Sequence, residues 1–147
     1  KIQVEDSKKM YNEFLDLKDN FPPSSSGKYT KEQAKEFSDF IVIQWLSQSH
    51  PRFMTEFKEN ISLLNLDIFK TIKMFAFVIF YKYYIGNRNP VKKSDYGDLF
   101  HLLYIPYCNM AIMEKDICDT FNKIKRNESI LNRTTIHDIR FFNDFKK

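Results

Sequence analysis

The sequence that decides the fold runs from Met110 to Arg126 and reads MAIMEKDICDTFNKIKR. Its first four residues are apolar and are bounded by polar side chains, which is typical of a buried strand. The segment from position 115 onward has helical spacing instead, and its buried face would carry Ile117, Phe121 and Ile124. We therefore expect a strand followed directly by a helix.

A second strand is predicted between Thr134 and Phe142, where β-branched and aromatic residues are frequent. The same segment also fits a helical turn, because Ile136, Ile139 and Phe142 are spaced three apart. Both interpretations stay open from sequence. With the strand interpretation, the chain is predicted to be a predominantly helical α/β protein with a small parallel sheet.

A capping box at Thr30 and Gln33 begins a helix that is predicted to run to about His50. Its apolar stripe predicts a core face that consists of Phe37, Phe40, Ile41, Gln44 and Trp45. Upstream, apolar spacing predicts another helix between Val4 and Leu17, and the residues from Asp19 to Gly27 end it.

The sequence of the middle of the chain predicts two more helices, followed by a loop that ends the second of them. One begins at Pro51 and continues to about Asn65, and the next runs from Leu66 to Ile85 and is apolar on most of its surface. Gly86 is expected to end that helix with a left-handed backbone. A further helix is predicted from a Ser94 cap to Pro106.

Composition fits one domain spanning residues 1–147, since 43% of the 147 residues are hydrophobic. The longest apolar run, Met74 to Tyr81, is too short for a bilayer, so no membrane partner is expected. Cys108 and Cys118 have no further cysteine partners and are read as reduced thiols of a cytoplasmic protein. The chain begins at Lys1 and not at Met, which suggests a processed or truncated piece of a longer product.

Two acidic residues, Asp95 and Asp98, stand three positions apart at a predicted helix start. This spacing projects both carboxylates from one face, where a hard cation such as Mg2+ could hold them together. The alternative is that they are favoured by the helix macrodipole without any metal. His101 follows three positions later and could approach the same site, although a structural role beside the core is commoner.

Glu114 stands where the predicted strand ends and the next helix begins. In open α/β sheets, ligands bind beyond the carboxyl ends of the strands. We therefore expect Glu114 to join Asp95 and Asp98 in one carboxylate cluster.

These residues belong to a segment, 89–127, that resembles the acidic-site half of PIN-like nucleases of prokaryotic type. Residues 95–109 read DYGDLFHLLYIPYCN, where the family has an Asp pair, then HL, then YLPYC. The family's strand ends in Thr-Glu-Arg or Thr-Asp-Asp, and here Met113 replaces the Thr, while Asn109 replaces the usual Asp after Tyr-Cys. The family's first strand and its Asp are missing, and we expect that strand upstream of Lys1.

The resemblance implies a PIN-like fold with its acidic-site half at residues 89–147, and a metal-dependent endoribonuclease that hydrolyses phosphodiester bonds. Mg2+ or Mn2+ would be held by Asp95, Asp98 and Glu114. RNA would be the partner, in a toxin or defence setting by analogy, and a protein partner or a larger parent chain would supply the first strand. The alternative is a non-catalytic, helical interaction module or a degenerate PIN-like domain.

The last third of the chain is the most basic part, with eight Lys or Arg against five Asp or Glu from position 115 onward. Lys115, Lys123 and Arg126 are the residues expected to hold the nucleic-acid backbone. A solvated helix face is the commoner explanation of such a pattern.

Overall fold

Helices dominate the computed structural model, which describes residues 12–13, 16–57, 59–86 and 99–146. Helical backbone occurs at 12–13 and 16–20. The regular elements after these are α1 (Lys31–Ser49), α2 (Pro51–Phe57), α3 (Lys70–Ile79), β1 (Met110–Met113), α4 (Lys115–Asn127) and β2 (Thr135–Asp138). Shorter 3-10 turns cover Ile61–Leu63, Leu66–Ile68, Ile105–Tyr107, Ser129–Leu131 and Ile139–Lys146.

The two strands pair in parallel, with Met110 opposite Thr135 and Met113 opposite Asp138. Helix α4 makes the crossover between them and contacts both strands. The predicted mostly helical α/β architecture with a small parallel sheet is therefore confirmed at this level. Both interpretations of the segment after Thr134 hold in part, because the strand ends at Asp138 and a 3-10 helix follows.

The capping box of α1 is formed as predicted, since the Gln33 amide N–H donates to the Thr30 hydroxyl at 3.3 Å and the Thr30 N–H donates to Gln33 Oε1 at 3.1 Å. The predicted core face is wrong in two places, because Phe40 is 40% exposed and Trp45 is 39% exposed. Both rings lie at the edge of the interface, Phe40 against Phe21 and Trp45 against Phe69. The buried face consists of Ala34, Phe37, Ser38, Val42 and Leu46.

The helix predicted to continue to Asn65 ends at Phe57 instead, and the helix predicted from Leu66 begins at Lys70. Asn65 explains part of this difference. Its side chain accepts a hydrogen bond from the Asp67 N–H at 3.1 Å, which starts a 3-10 turn at the place where an α-helix was expected.

Helix α3 is central, as expected, and its last turns widen into a π-helical segment, Phe80–Ile85. The aromatic rings of this segment form the core with α1: the Phe37 and Phe80 ring centroids are 5.3 Å apart, and those of Phe80 and Tyr84 are 5.0 Å apart. No helix in the described part of the chain has both the length and the apolar character needed to cross a membrane.

Gly86 ends the π-helical segment with φ −72°, so the predicted left-handed backbone is wrong. Its N–H donates to the carbonyls of Tyr81 and Tyr84. A Cβ at this position would lie 2.4 Å from the Lys82 carbonyl oxygen, so glycine is required by close packing of the backbone.

The helix predicted up to Pro106 is described only from Leu99 onward. Leu99 is buried in the core, and the chain then passes through turns into the 3-10 turn Ile105–Tyr107. The predicted Ser94 cap lies outside the described residues.

Candidate functional site

The carboxyl ends of the two parallel strands bring two acidic residues to one edge of the sheet. Asp138 ends β2 opposite Met113, and Glu114 follows Met113 directly. Neighbouring strands are about 4.8 Å apart, so the two acidic positions are close along this edge. Glu114 stands as N-cap of α4, yet its exposed side chain makes no capping hydrogen bond.

Asp95 and Asp98 lie outside the described residues, so their convergence with Glu114 stays a prediction. Within the described ranges, no three His, Cys, Asp or Glu side chains gather closely enough to hold a metal ion. Of the three residues of the predicted cluster, Glu114 is the one that the structure describes, and its exposed carboxylate is of the kind that hard cations such as Mg2+ prefer.

Asp138 was not identified from sequence, although the rule that identified Glu114 also applies to an acid at the end of β2. Its carboxylate accepts the Arg140 N–H at 2.8 Å and the Arg140 Nε–H at 3.0 Å, and it also pairs with Arg140 Nη2. These hydrogen bonds lower the pKa of Asp138 to about 2. Asp138 is therefore ionised and held by Arg140.

The inner side of α4 places Cys118 beside this edge. Burial raises the pKa of the Cys118 thiol, and the nearby charges of Asp138 and Asp119 raise it further. Cys108 and Cys118 are both free thiols. A raised pKa keeps the Cys118 thiol protonated, which argues against a nucleophilic role.

Lys115, Lys123 and Arg126 are all exposed on α4. With 3.6 residues per turn, their directions fall within about a quarter of the helix circumference. Asp116 and Asp119 fall on the same outward face, so its excess of positive charge is small. A nucleic-acid contact for these three residues stays a prediction. His101 is exposed in a turn and is not a core residue.

A second polar site, which was not predicted from the sequence, is a cleft of about 630 Å³. It lies between α1, α3 and the segment that follows α4. We call it the Lys73 cleft, and its polar and charged lining consists of Lys35, Asp67, Lys70, Lys73, Asn127, Glu128, Ser129, Asn132 and Arg133.

Lys73 brings a buried charge into this cleft, since its side chain is only 5% exposed. Its Nζ lies 2.8 Å from Asp39 Oδ1 and also pairs with Asp67 Oδ1. Burial pushes the pKa of Lys73 down, but the interactions with the Asp39 and Asp67 carboxylates outweigh that effect, and the pKa is raised overall. The Lys73 hydrogen bond lowers the pKa of Asp67 correspondingly.

Glu128 is a second partly buried charged residue of the cleft, and its Oε1 accepts a hydrogen bond from the Tyr81 hydroxyl at 2.7 Å. Burial raises the pKa of Glu128 and that of Tyr81. A sequence signal existed for this cleft: Lys73 interrupts an otherwise apolar, central helix, where a charge needs partners. The partners of Lys73, Asp67 and Asp39, are 6 and 34 positions away in sequence and could not be read from it.

Comparisons with protein-family models, curated proteins and solved structures give no significant match to this chain. The class of this protein is therefore defined by its architecture. It is a mostly helical α/β protein in which a strand-helix-strand unit carries an acidic residue at the carboxyl end of each strand.

Proposed function

We propose that this protein is a metal-dependent nuclease that hydrolyses phosphodiester bonds in RNA. The observation that supports the proposal is the parallel pairing of β1 with β2, which puts Glu114 at the carboxyl edge of the sheet. Asp95, Asp98 and Glu114 would hold Mg2+ or Mn2+, since carboxylate oxygens are the ligands these ions prefer.

In this proposal, the role of each residue follows from its position in the fold. A bound ion would supply Lewis-acid polarisation of the phosphate. Glu114 would hold the ion from a position fixed between β1 and α4. Asp138, which Arg140 holds at the neighbouring strand end, would act as a positioning residue. The exposed cations of α4 would attract the RNA backbone; they are Lys115, Lys123 and Arg126.

The test compares Asp98→Asn with wild type in a cleavage assay on single-stranded RNA with Mn2+. Removal of one charged ligand should lower the rate at least about tenfold, which corresponds to about 1.4 kcal/mol in the barrier. Mn2+ should also raise the melting temperature of the wild type but not that of the variant. Asp16→Asn, at an exposed position outside α4 and the sheet edge, is the matched control and should behave as wild type.

Unchanged cleavage in Asp98→Asn would reject the metal-binding role. A second function, a non-catalytic interaction module, is favoured by one observation: Asp138 is already bound by Arg140 and is not free to hold a metal ion. Absence of cleavage in the wild type, together with absence of Mn2+-induced stabilisation, would support that function.

A further inference from the structure

The Lys73 cleft has cations at its rim that are not committed to internal pairs. Lys35, Lys70 and Arg133 are exposed, and none of them forms an ion pair with a residue that the structure describes, although the charge of Lys35 acts on Asp67 and Glu128 across the cleft. Lys73, in contrast, is held between Asp39 and Asp67. The rim cations are therefore available to an anionic ligand.

The carboxylates of the cleft oppose an anion less than their number suggests. Asp67 is paired with Lys73, and Glu128 accepts a hydrogen bond from the Tyr81 hydroxyl. Four cationic side chains and two carboxylates line the cleft, a formal excess of two positive charges. Asp39, which pairs with Lys73 without lining the cleft, reduces that excess to one.

An exposed aromatic ring lies one residue beyond the lining of the cleft. Tyr107 is 60% exposed, and its hydroxyl lies 3.3 Å from the hydroxyl of Thr71, the neighbour of Lys70. Pro106, one residue before Tyr107, lines the cleft.

The turn that carries Tyr107 is fixed from inside the protein. The buried Thr134 hydroxyl lies within hydrogen-bond distance of the carbonyl oxygens of Ile105 and Cys108, at 3.2 Å and 2.8 Å. The turn is thereby tied to the residue that follows Arg133. A base that stacked on Tyr107 would meet a ring on a supported turn.

We infer that the Lys73 cleft binds a nucleoside-phosphate unit of single-stranded nucleic acid. Lys35, Lys70 and Arg133 would contact the phosphate, and Tyr107 would stack on the base. A volume of about 630 Å³ is within the usual range for a small-molecule site. Glu114 and Glu128 flank the two ends of α4, whose 13 residues span roughly 20 Å, so this binding site is separate from the sheet edge.

Binding is measured by fluorescence anisotropy with an end-labelled oligouridylate of about ten nucleotides, at low salt and in EDTA. Because EDTA removes divalent ions, the result does not depend on the proposed nuclease activity. The charge-reversed double variant Lys70→Glu/Arg133→Glu should bind at least about tenfold more weakly than wild type. A thermal melt checks that the variant folds.

The matched control is Lys28→Glu/Arg52→Glu, which makes the same change in net charge at two exposed positions outside the cleft. It should lose no more than about twofold in affinity, and it should keep the wild-type dependence on salt, whereas the cleft variant should show a shallower dependence. Equal losses in the two double variants, or no binding by the wild type, would overturn the inference.

Tyr107 is tested separately with two substitutions. Tyr107→Ala should weaken binding about fivefold or more, because the stacking surface is lost, while Tyr107→Phe keeps the ring and should bind as wild type. Equal loss in both variants would reject stacking. Displacement of the oligonucleotide by uridine monophosphate at the same concentration would assign the cleft to a free nucleotide and would overturn the assignment to a strand.

Discussion

Lys73 shows how a single charged residue is kept in the interior. Its stem lies in the apolar helix α3, and its ammonium group is neutralised by Asp39 and Asp67 from two other elements. Such a residue links secondary-structure elements through ion pairs, and removal of one partner leaves the charge of the other partners only partly neutralised.

We expect Lys73→Met to lower the free energy of unfolding by about 2 kcal/mol. Loss of a buried pair costs about 3–5 kcal/mol when the remaining charge is fully buried, and here Asp67 stays exposed and Asp39 is partly exposed, although its Oδ1 atom is buried. Urea unfolding measures the change. Lys70→Met, at an exposed position of the same helix, should change stability by less than about 0.5 kcal/mol, and an equal effect at both positions would contradict the account.

Asp138 should give the protein an acid-sensitive component of stability. Its pKa is lowered to about 2 in the folded protein by Arg140, so the stabilisation is present above the ordinary pKa of an Asp and is lost as the pH falls towards 2. Asp138→Asn should therefore be less stable than wild type at pH 7, and the difference should narrow between about pH 4 and pH 2. Urea unfolding at several pH values measures it, with Glu36→Gln as an exposed control.

At the scale of elements, local sequence signals predicted what local interactions decide. The bounds of β1 were predicted correctly from its apolar run, and α4 ends one residue after the predicted Arg126. The capping box placed the start of α1 for the same reason. The π-helical segment was not predictable in this way, because it depends on how the rings of Phe80 and Tyr84 pack against Phe37.

Gly86 allows the end of the π-helical segment to pack closely against the Lys82 carbonyl group. Gly86→Ala should destabilise the protein by about 1–3 kcal/mol, because the new methyl group would meet the Lys82 carbonyl oxygen and the backbone would have to move. Thermal or urea unfolding measures the loss. Gly27→Asn is a useful comparison, since Gly27 has φ 71° with open space around it, and Asn tolerates that backbone. An undiminished stability in Gly86→Ala would show that the segment adapts without cost.

At the scale of the whole molecule, helix α4 separates two polar regions. Glu114 precedes it at the sheet edge, and Glu128 follows it in the Lys73 cleft. The first region could be predicted from sequence because strand ends are local features. The second could not, since its walls come from distant parts of the chain that meet only when α1, α3 and α4 are packed together.

The parallel pairing of β1 with β2 also has a kinetic consequence. Met110 and Thr135 are about 25 positions apart, so they cannot pair until the chain between them has been drawn back, and closure of such a loop costs entropy before the strand contacts repay it. Helix α4, whose contacts are local, should form earlier.

Stopped-flow folding measurements on two variants test this order of events. Ala111→Gly in β1 should chiefly accelerate unfolding, with a kinetic φ-value near zero, whereas Phe121→Leu in α4 should slow refolding. Slower refolding in Ala111→Gly, in proportion to its loss of stability, would show that the strands pair before the barrier. With the expected result, the sheet edge that carries Glu114 assembles after helix α4 and opens before it.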